Sequence, residues 1–261
     1  MLGFIKAIAR EAGRAAMTYF DGIRPNDVHA KNSPKDLVSA ADVAVEQLIV
    51  TRIRERFPGH DILGEESGHS NVASEFCWII DPIDGTQSFV KHHPFFSISI
   101  AFCEKNKPVA GVVYAPALGY LFAAEAGKGA RLNDELIHAS SCAELAEAAC
   151  ATGFACVRAG CEVNNLKYFA RIVPNLRDIK RCGSAALDLS MTGAGIYDAY
   201  WEMKLQPYDV AAGVLIAEEA GALVRDLRGT FHYPDQGVIA ANPALMAKLL
   251  PFFNDLPETL C

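Results

Sequence analysis

Apolar residues recur at helical spacing over the first twenty positions: Phe4, Ile5, Ile8, Ala12, Ala15 and Ala16, with Lys6, Arg10, Glu11 and Arg14 between them. That period predicts an amphipathic helix over residues 1–20, closed by Asp21-Gly22. A second helix is expected over 40–57, with Val43, Val45, Leu48, Ile49, Ile53 and Phe57 inward and Pro58-Gly59 as its stop. The pattern then changes. Residues 76–80, 95–103, 108–115 and 119–125 read as strands, joined in part by turns at Lys105–Pro108 and Pro116–Gly119. This run predicts a meander on an antiparallel or mixed sheet. Helical patterning returns at 164–174, 184–194, 209–220 and 243–253, with a strand at 197–203 between the middle two. Blocks of strands alternating with helices predict a layered α+β architecture. The expected organisation is a single domain over 1–261 with two lobes of about 1–140 and 141–261.

Composition narrows the function classes. The chain is 51% hydrophobic, enough for a substantial core, and its net charge of −7 comes with no long basic run, which weighs against nucleic acid as a partner. The charges inside the first helix argue against a secretory leader. No apolar stretch approaches the ~20 residues of a membrane span, so no membrane partner is expected and cytoplasmic residence is the default. The eight cysteines form no CxxC, and no His-x₃₋₅-His accompanies them. A zinc site is therefore not expected, and the thiols read as structural or incidental.

The chemistry concentrates in Trp78-Ile-Ile-Asp-Pro-Ile-Asp-Gly-Thr-Gln-Ser-Phe89. Asp81 and Asp84 stand three residues apart behind an apolar strand, where two carboxylates can share a hard divalent cation. Gly85-Thr86 directly after them can offer backbone N–H groups to a phosphate. A second acidic pair lies upstream in Leu63-Gly-Glu-Glu-Ser-Gly68, and Asp209 opens a small-residue helix downstream in Pro207-Tyr-Asp-Val-Ala-Ala-Gly213. Each alone has an ordinary reading: Asp84-Gly85 as a turn, Glu65-Glu66 as a solvated loop, Asp209 as a helix cap, Thr86 as a cap or surface hydroxyl. Together they form an oxygen-only donor set without His or Cys, which suits magnesium and disfavours zinc or copper. His92 and His93 read as loop residues, and Phe89, Phe95 and Phe96 as core.

The order GEES, WIIDPIDGTQSF, then WE…PYDVAAG resembles the inositol monophosphatase family of magnesium-dependent phosphatases. Lys31 to Asp42 and Arg181-Cys-Gly-Ser-Ala-Ala186 match two further family segments, and the likeness runs from about residue 5 to about 245. The resemblance implies a layered α-β-α-β-α sandwich of the inositol monophosphatase / fructose-1,6-bisphosphatase type. It also implies two to three Mg2+ per site. Glu65, Asp81 and the Ile83 carbonyl would hold the first ion and Asp81, Asp84 and Asp209 the second. A weaker third ion would lean on Glu65. Thr86 would orient the attacking water with its hydroxyl bonded toward Asp42, while Glu65 takes the water's proton. Gly85 and Thr86 would bind phosphate. Asp84, the Ala185 backbone and Glu202 would face the sugar, with Glu202 favouring vicinal diols. Lys31 could stand near the third ion. Hydrolysis of inositol monophosphate or a similar small polyol phosphate, lithium sensitivity and a homodimer follow as expectations. The rivals are fructose-1,6-bisphosphatase, histidinol-phosphate phosphatase or nucleotide 3′-phosphatase activity, and a regulatory binding protein on the same fold. Ser39, Ser88 and Tyr208 depart from residues frequent in the family; none removes an expected metal ligand.

Overall fold

The computed structural model describes residues 1–22 and 34–257, with side chains of the second helix described from Ala40 onward. Lys31 and the Ser39 side chain lie outside the described residues. Helices α1 (Leu2–Gly22) and α2 (Pro34–Arg56) form one outer layer. Ile5, Ile8, Ala12, Ala16 and Phe20 of α1 and Val45, Ile49 and Ile53 of α2 are buried together against one sheet face. Each large apolar side chain so placed contributes about 1.5–3 kcal/mol of transfer free energy. The inward face of α2 differs from the expected one. Val43 is exposed, whereas Asp42 and Glu46 are buried beside Val45 and Ile49.

The large sheet is drawn from residues 61–136. It contains β1 (Asp61–Gly64), β2 (Gly68–His69), β3 (Phe76–Asp84), β4 (Ser97–Glu104), β5 (Lys107–Ala115), β6 (Tyr120–Glu125), β7 (Ala130–Leu132) and β8 (Glu135–Leu136). From β3 to β6 the strands form the expected meander, which β7 and β8 extend beyond the expected strands; β1 joins β3 in parallel, which makes the sheet mixed. The two-residue period sorts the faces. Ile98, Ile100 and Phe102 of β4 meet α1 and α2, while Ala101 meets the opposite layer. The short helix α3 (Thr86–Val90) follows β3.

The small sheet has the order β10-β9-β11-β13-β12, from β9 (Ala149–Thr152), β10 (Asp178–Lys180), β11 (Ala199–Glu202), β12 (Leu223–Arg225) and β13 (Val238–Ala241). Among these only β11 matches an expected strand. On its outer face lie α5 (Asn165–Ile172) and α8 (Pro243–Leu249), with the single turn α4 (Ala155–Arg158) before α5. Between the sheets run α6 (Ala185–Gly193) and α7 (Pro207–Glu219). Every residue of α6 and the stretch Val210–Ala217 of α7 are buried, as an all-round apolar helix must be. Small residues permit this central layer. A Cβ on Gly213 would stand 2.9 Å from the Ala186 carbonyl oxygen, and one on Gly111 would stand 3.2 Å from Ala212 Cα. The five layers are helices, sheet, helices, sheet, helices, and the N-terminal ends of α6 and α7 reach the C-terminal end of β3.

Candidate active site

An irregularity in β3 brings two acids onto one face. Asp81 pairs with Ser99 and Asp84 with Ser97, so three steps along β3 match two along β4. Residues three apart normally point to opposite faces of a strand; the extra residue in the Pro82-Ile83 stretch corrects the phase. Ile80 and Ile83 turn into the outer core, and both aspartates turn toward the central helices. Proline is tolerated here because a bulge does not require its missing N–H.

The central helices add the rest. Asp84 Oδ2 accepts hydrogen bonds from Ser184 Oγ and Ala186 N, both at 2.7 Å. Ser184 is also the N-cap of α6, accepting from Leu187 N at 3.3 Å, and its hydroxyl meets Ser97 Oγ at 3.1 Å. Asp209 is the third residue of α7 and closes a capping box, accepting from Gln206 N through Oδ2 at 2.6 Å. Asp81 Oδ1 accepts from Ile83 N at 3.1 Å. One oxygen each from Asp81, Asp84 and Asp209 lie within 4.8 Å of one another. Glu65 follows β1, its N–H donating to Ile80 O at 3.2 Å, so the parallel β1–β3 pairing sets it beside Asp81. Glu46 fixes the turn around it, accepting from Glu66 N at 2.9 Å and Ser67 N at 2.7 Å.

Crowding these acids raises their proton affinity. Burial, then repulsion from Asp84, Glu65 and Asp209, holds Asp81 well above the ordinary carboxylate range. Burial and the Asp209 charge do the same to Asp84, against the pull of its Ser184 and Ala186 donors. Burial pushes Asp209 up to about 7 and Asp42 up to about 8, the latter helped by Glu65, Glu66 and Glu46. Glu65 is raised chiefly by burial. Such a cluster is costly as bare anions, and a divalent cation would offset the cost. An oxygen-only set of this density fits a hard cation.

A cavity gathers most of the expected site residues. Its lining includes Glu65, Asp81, Ile83, Asp84, Gly85 and Thr86, and also Ala185, Glu202 and Asp209. Gly85 caps α3 at φ 97°, and a Cβ there would stand 2.9 Å from the Phe95 carbonyl oxygen, so conformation and space both demand glycine. Glu202 is buried, accepting from Ala155 N at 3.0 Å and Tyr200 OH at 2.7 Å. The expected Thr86–Asp42 hydrogen bond is absent. Thr86 Oγ1 donates to Ile83 O at 3.3 Å, and buried Asp42 Oδ1 has no partner. The carbonyl three residues back is nearer to hand than a side chain on another element. His92 packs its ring on Phe20, 4.5 Å between centroids, and Phe89, Phe95 and Phe96 are buried as expected. The sequence reading gave no role to Glu46 and Arg158, and none of their own to Arg181 and Ser184 of the 181–186 segment; both arginines line the cavity. Acids at inward positions of α2 were a usable signal for Glu46, and the 181–186 segment was one for Arg181 and Ser184; nothing local marks Arg158.

The profile of the inositol monophosphatase family matches residues 1–258. The Nus factor SuhB of Escherichia coli strain K12 is 35% identical over 258 residues, covering 98% of this chain and 96% of the relative. The Nus factor SuhB of Pasteurella multocida is 37% identical over 253 residues, covering 96% and 94%. Among solved structures, the inositol monophosphatase from Anabaena sp. PCC 7120 superposes with TM-score 0.87 at 34% identity, covering 98% of this chain and 96% of that one. An inositol monophosphate-bound SaIMPase-II superposes with TM-score 0.76 at 27% identity, covering 95% and 91%.

Proposed function

The chain belongs to the inositol monophosphatase family, and on that premise we propose that it is a magnesium-dependent phosphatase that hydrolyses inositol monophosphate or a similar small polyol phosphate. The observation that carries this reading is the convergence of Asp81, Asp84 and Asp209 in a cavity that Glu65 and Gly85-Thr86 also line. The solved relative with inositol monophosphate bound supports the substrate class.

In this reading Glu65, Asp81 and the Ile83 carbonyl would hold one ion, Asp81, Asp84 and Asp209 would hold another, and a weaker third would lean on Glu65. When bound, magnesium supplies positive charge against the phosphate and eases deprotonation of water. The chain does the positioning. Glu65, at the accessible edge of the cluster, takes the proton of the attacking water; its raised proton affinity suits that task. Thr86 would orient the water, its hydroxyl turning from the long bond to Ile83 O toward Asp42 as acceptor. The first N–H groups of α3 have no carbonyl a turn before them and are available to phosphate oxygens. Glu202 accepts from hydroxyls of the leaving alcohol with the lone pairs that Tyr200 and Ala155 leave free. A single domain, cytoplasmic residence, lithium sensitivity and a homodimer complete the proposal.

The test is hydrolysis of a phosphate-ester panel with and without Mg2+, alongside Asp209→Asn. We expect metal-dependent turnover in the wild type and loss of most of it in the variant, with the fold intact by thermal melting. Near-wild-type turnover of the variant at saturating Mg2+ would sink the assignment. A second reading, a binding role in transcription, is favoured by the Nus factor relatives. An inactive Asp209→Asn protein that still restores growth to a host lacking the gene would support that role.

A further inference from the structure

Three adjacent strands of the large sheet present a row of metal-binding side chains away from the acid cluster. Asp61 opens β1, and Cys77 stands opposite it in the parallel pairing with β3. His69 lies on β2 opposite Leu63, two residues along β1 from Asp61. Residues opposite each other, or two apart on one strand, share a face of the sheet, so all three project on one side. Their neighbours Ile62 and Trp78 turn the other way, into the core under α1 and α2. One carboxylate oxygen of Asp61, one ring nitrogen of His69 and the Cys77 Sγ all lie within 4.8 Å of one another. None of the three lines the cavity. Along β3, the step from Cys77 to Asp81 is about 13 Å of extended chain.

Asp61 is placed as a fixed ligand. It is buried, and its Oδ1 accepts from Ile62 N at 2.9 Å, Ser70 Oγ at 2.6 Å and Val72 N at 3.2 Å. Its Oδ2 faces His69 Nε2 at 2.6 Å. Donors that hold one oxygen of a carboxylate and so orient the other are the support a metal ligand requires. Cys77 is half-buried, and its thiol makes a long contact, 3.6 Å, with Trp78 O. The His69 side chain is 48% accessible, so the row opens to solvent and an ion has a route in. An Asp–His pair alone would be an ordinary surface contact. A thiol within reach of both is what an ion pair does not require.

This donor set differs in kind from the oxygen-only acid cluster. Thiolate, imidazole and carboxylate together suit zinc or a similar borderline cation and not magnesium. Ligand atoms of a tetrahedral zinc site stand about 3.3–3.8 Å apart, so side-chain rotations of about 1 Å would close this group on an ion. The three residues recur at every eighth position, each on its own strand, and so no CxxC or paired-His spacing announces them.

We propose that Asp61, His69 and Cys77 form a second metal site, for one zinc-type divalent cation, with water in the fourth position. On binding, the Cys77 thiol gives its proton to solvent, as does His69 Nε2 if it carries one. The bond to His69 would also pin β2, the end strand of the sheet, to β1 and β3. The probe is Co2+, added to the full-length reduced protein with Mg2+ in excess. Cobalt on a thiolate shows sulfur-to-metal charge-transfer absorption in the near ultraviolet, which an oxygen-only cluster cannot produce. We expect one equivalent of Co2+ to develop that band and Zn2+ to bleach it. Cys77→Ser should abolish it. His69→Gln should weaken Co2+ binding by at least the roughly 10–100-fold that loss of an outer partner costs. Asp209→Asn, altered in the acid cluster, should keep the band at full strength. A wild type without the band overturns the proposal. So does a band that survives Cys77→Ser, an unchanged affinity in His69→Gln, or a band lost in Asp209→Asn, which would put the ion in the acid cluster. Should Cys77→Ser fail to fold by thermal melting, His69→Gln, at an exposed position, decides.

Discussion

Replacing Ser184 with alanine is a small change that should reach the acid cluster without altering an acid. The hydroxyl is fully buried, donates to Asp84 Oδ2 at 2.7 Å and caps α6 through Leu187 N. Alanine removes a cap of about 1 kcal/mol and a hydrogen bond to a carboxyl of about 1.5–3 kcal/mol. The metal-free variant should lose roughly 2–4 kcal/mol, which in a chain of this length is about 5–10 °C of melting temperature. Asp84 keeps the Ala186 N–H but loses the donor that fixes its rotation. The half-saturating Mg2+ concentration should therefore rise roughly 10–100-fold, the usual consequence of removing a group that orients a metal ligand. The assay is initial rate on inositol 1-phosphate across a Mg2+ titration, with melting followed separately in chelator. The two readouts divide the roles: melting reports the cap, and half-saturation reports Asp84. An unchanged half-saturation point refutes the claim that Ser184 positions Asp84, whatever melting does.

Thr86→Ala should lower kcat by about 10²–10⁴-fold with little change in KM, because the hydroxyl acts on water and not on substrate; an unchanged kcat removes Thr86 from the mechanism. The metal-free protein should lose stability as pH rises. Burial pushes Asp42 up to about 8 and Asp209 up to about 7, so the folded chain holds protons that the unfolded chain releases from about pH 4 upward. Stability is then fullest below the unfolded value and is lost through the folded one. Melting in chelator should be higher at about pH 5.5 than at about pH 8, and added Mg2+ should raise it more at the upper pH. A metal-free melting point that climbs across this window contradicts the sign.

The sequence was legible where period and burial agree. The meander strands could be read because Ile98, Ile100 and Phe102 alternate with smaller residues along β4. Strands β1, β9, β12 and β13 are three or four residues long and mostly buried, so neither alternation nor length distinguishes them. The acids of the site were legible because β3 carries them in one compact run. Ser184 was not, since its meaning depends on Asp84, a hundred residues away in sequence. Val43 was misplaced inward because apolarity alone assigned the face of α2, and the buried positions went instead to Asp42 and Glu46. The Thr86 hydroxyl was aimed at Asp42 by resemblance, and the near carbonyl of Ile83 took it.

The tied oxygens of the three aspartates bear on ion size. Asp81 has Oδ1 held by Ile83 N, Asp84 has Oδ2 held by Ser184 and Ala186, and Asp209 has Oδ2 held by Gln206 N. Each thus has one oxygen that a main-chain N–H fixes in place. Calcium fills a sphere of about six to eight oxygens and favours carboxylates that grip with both; magnesium takes six at shorter range and keeps several waters. Under the metal reading, carboxylates anchored at one oxygen by main-chain donors would adjust less readily to a larger ion of higher coordination number. The main-chain donors would then favour the smaller cation before any water or phosphate enters.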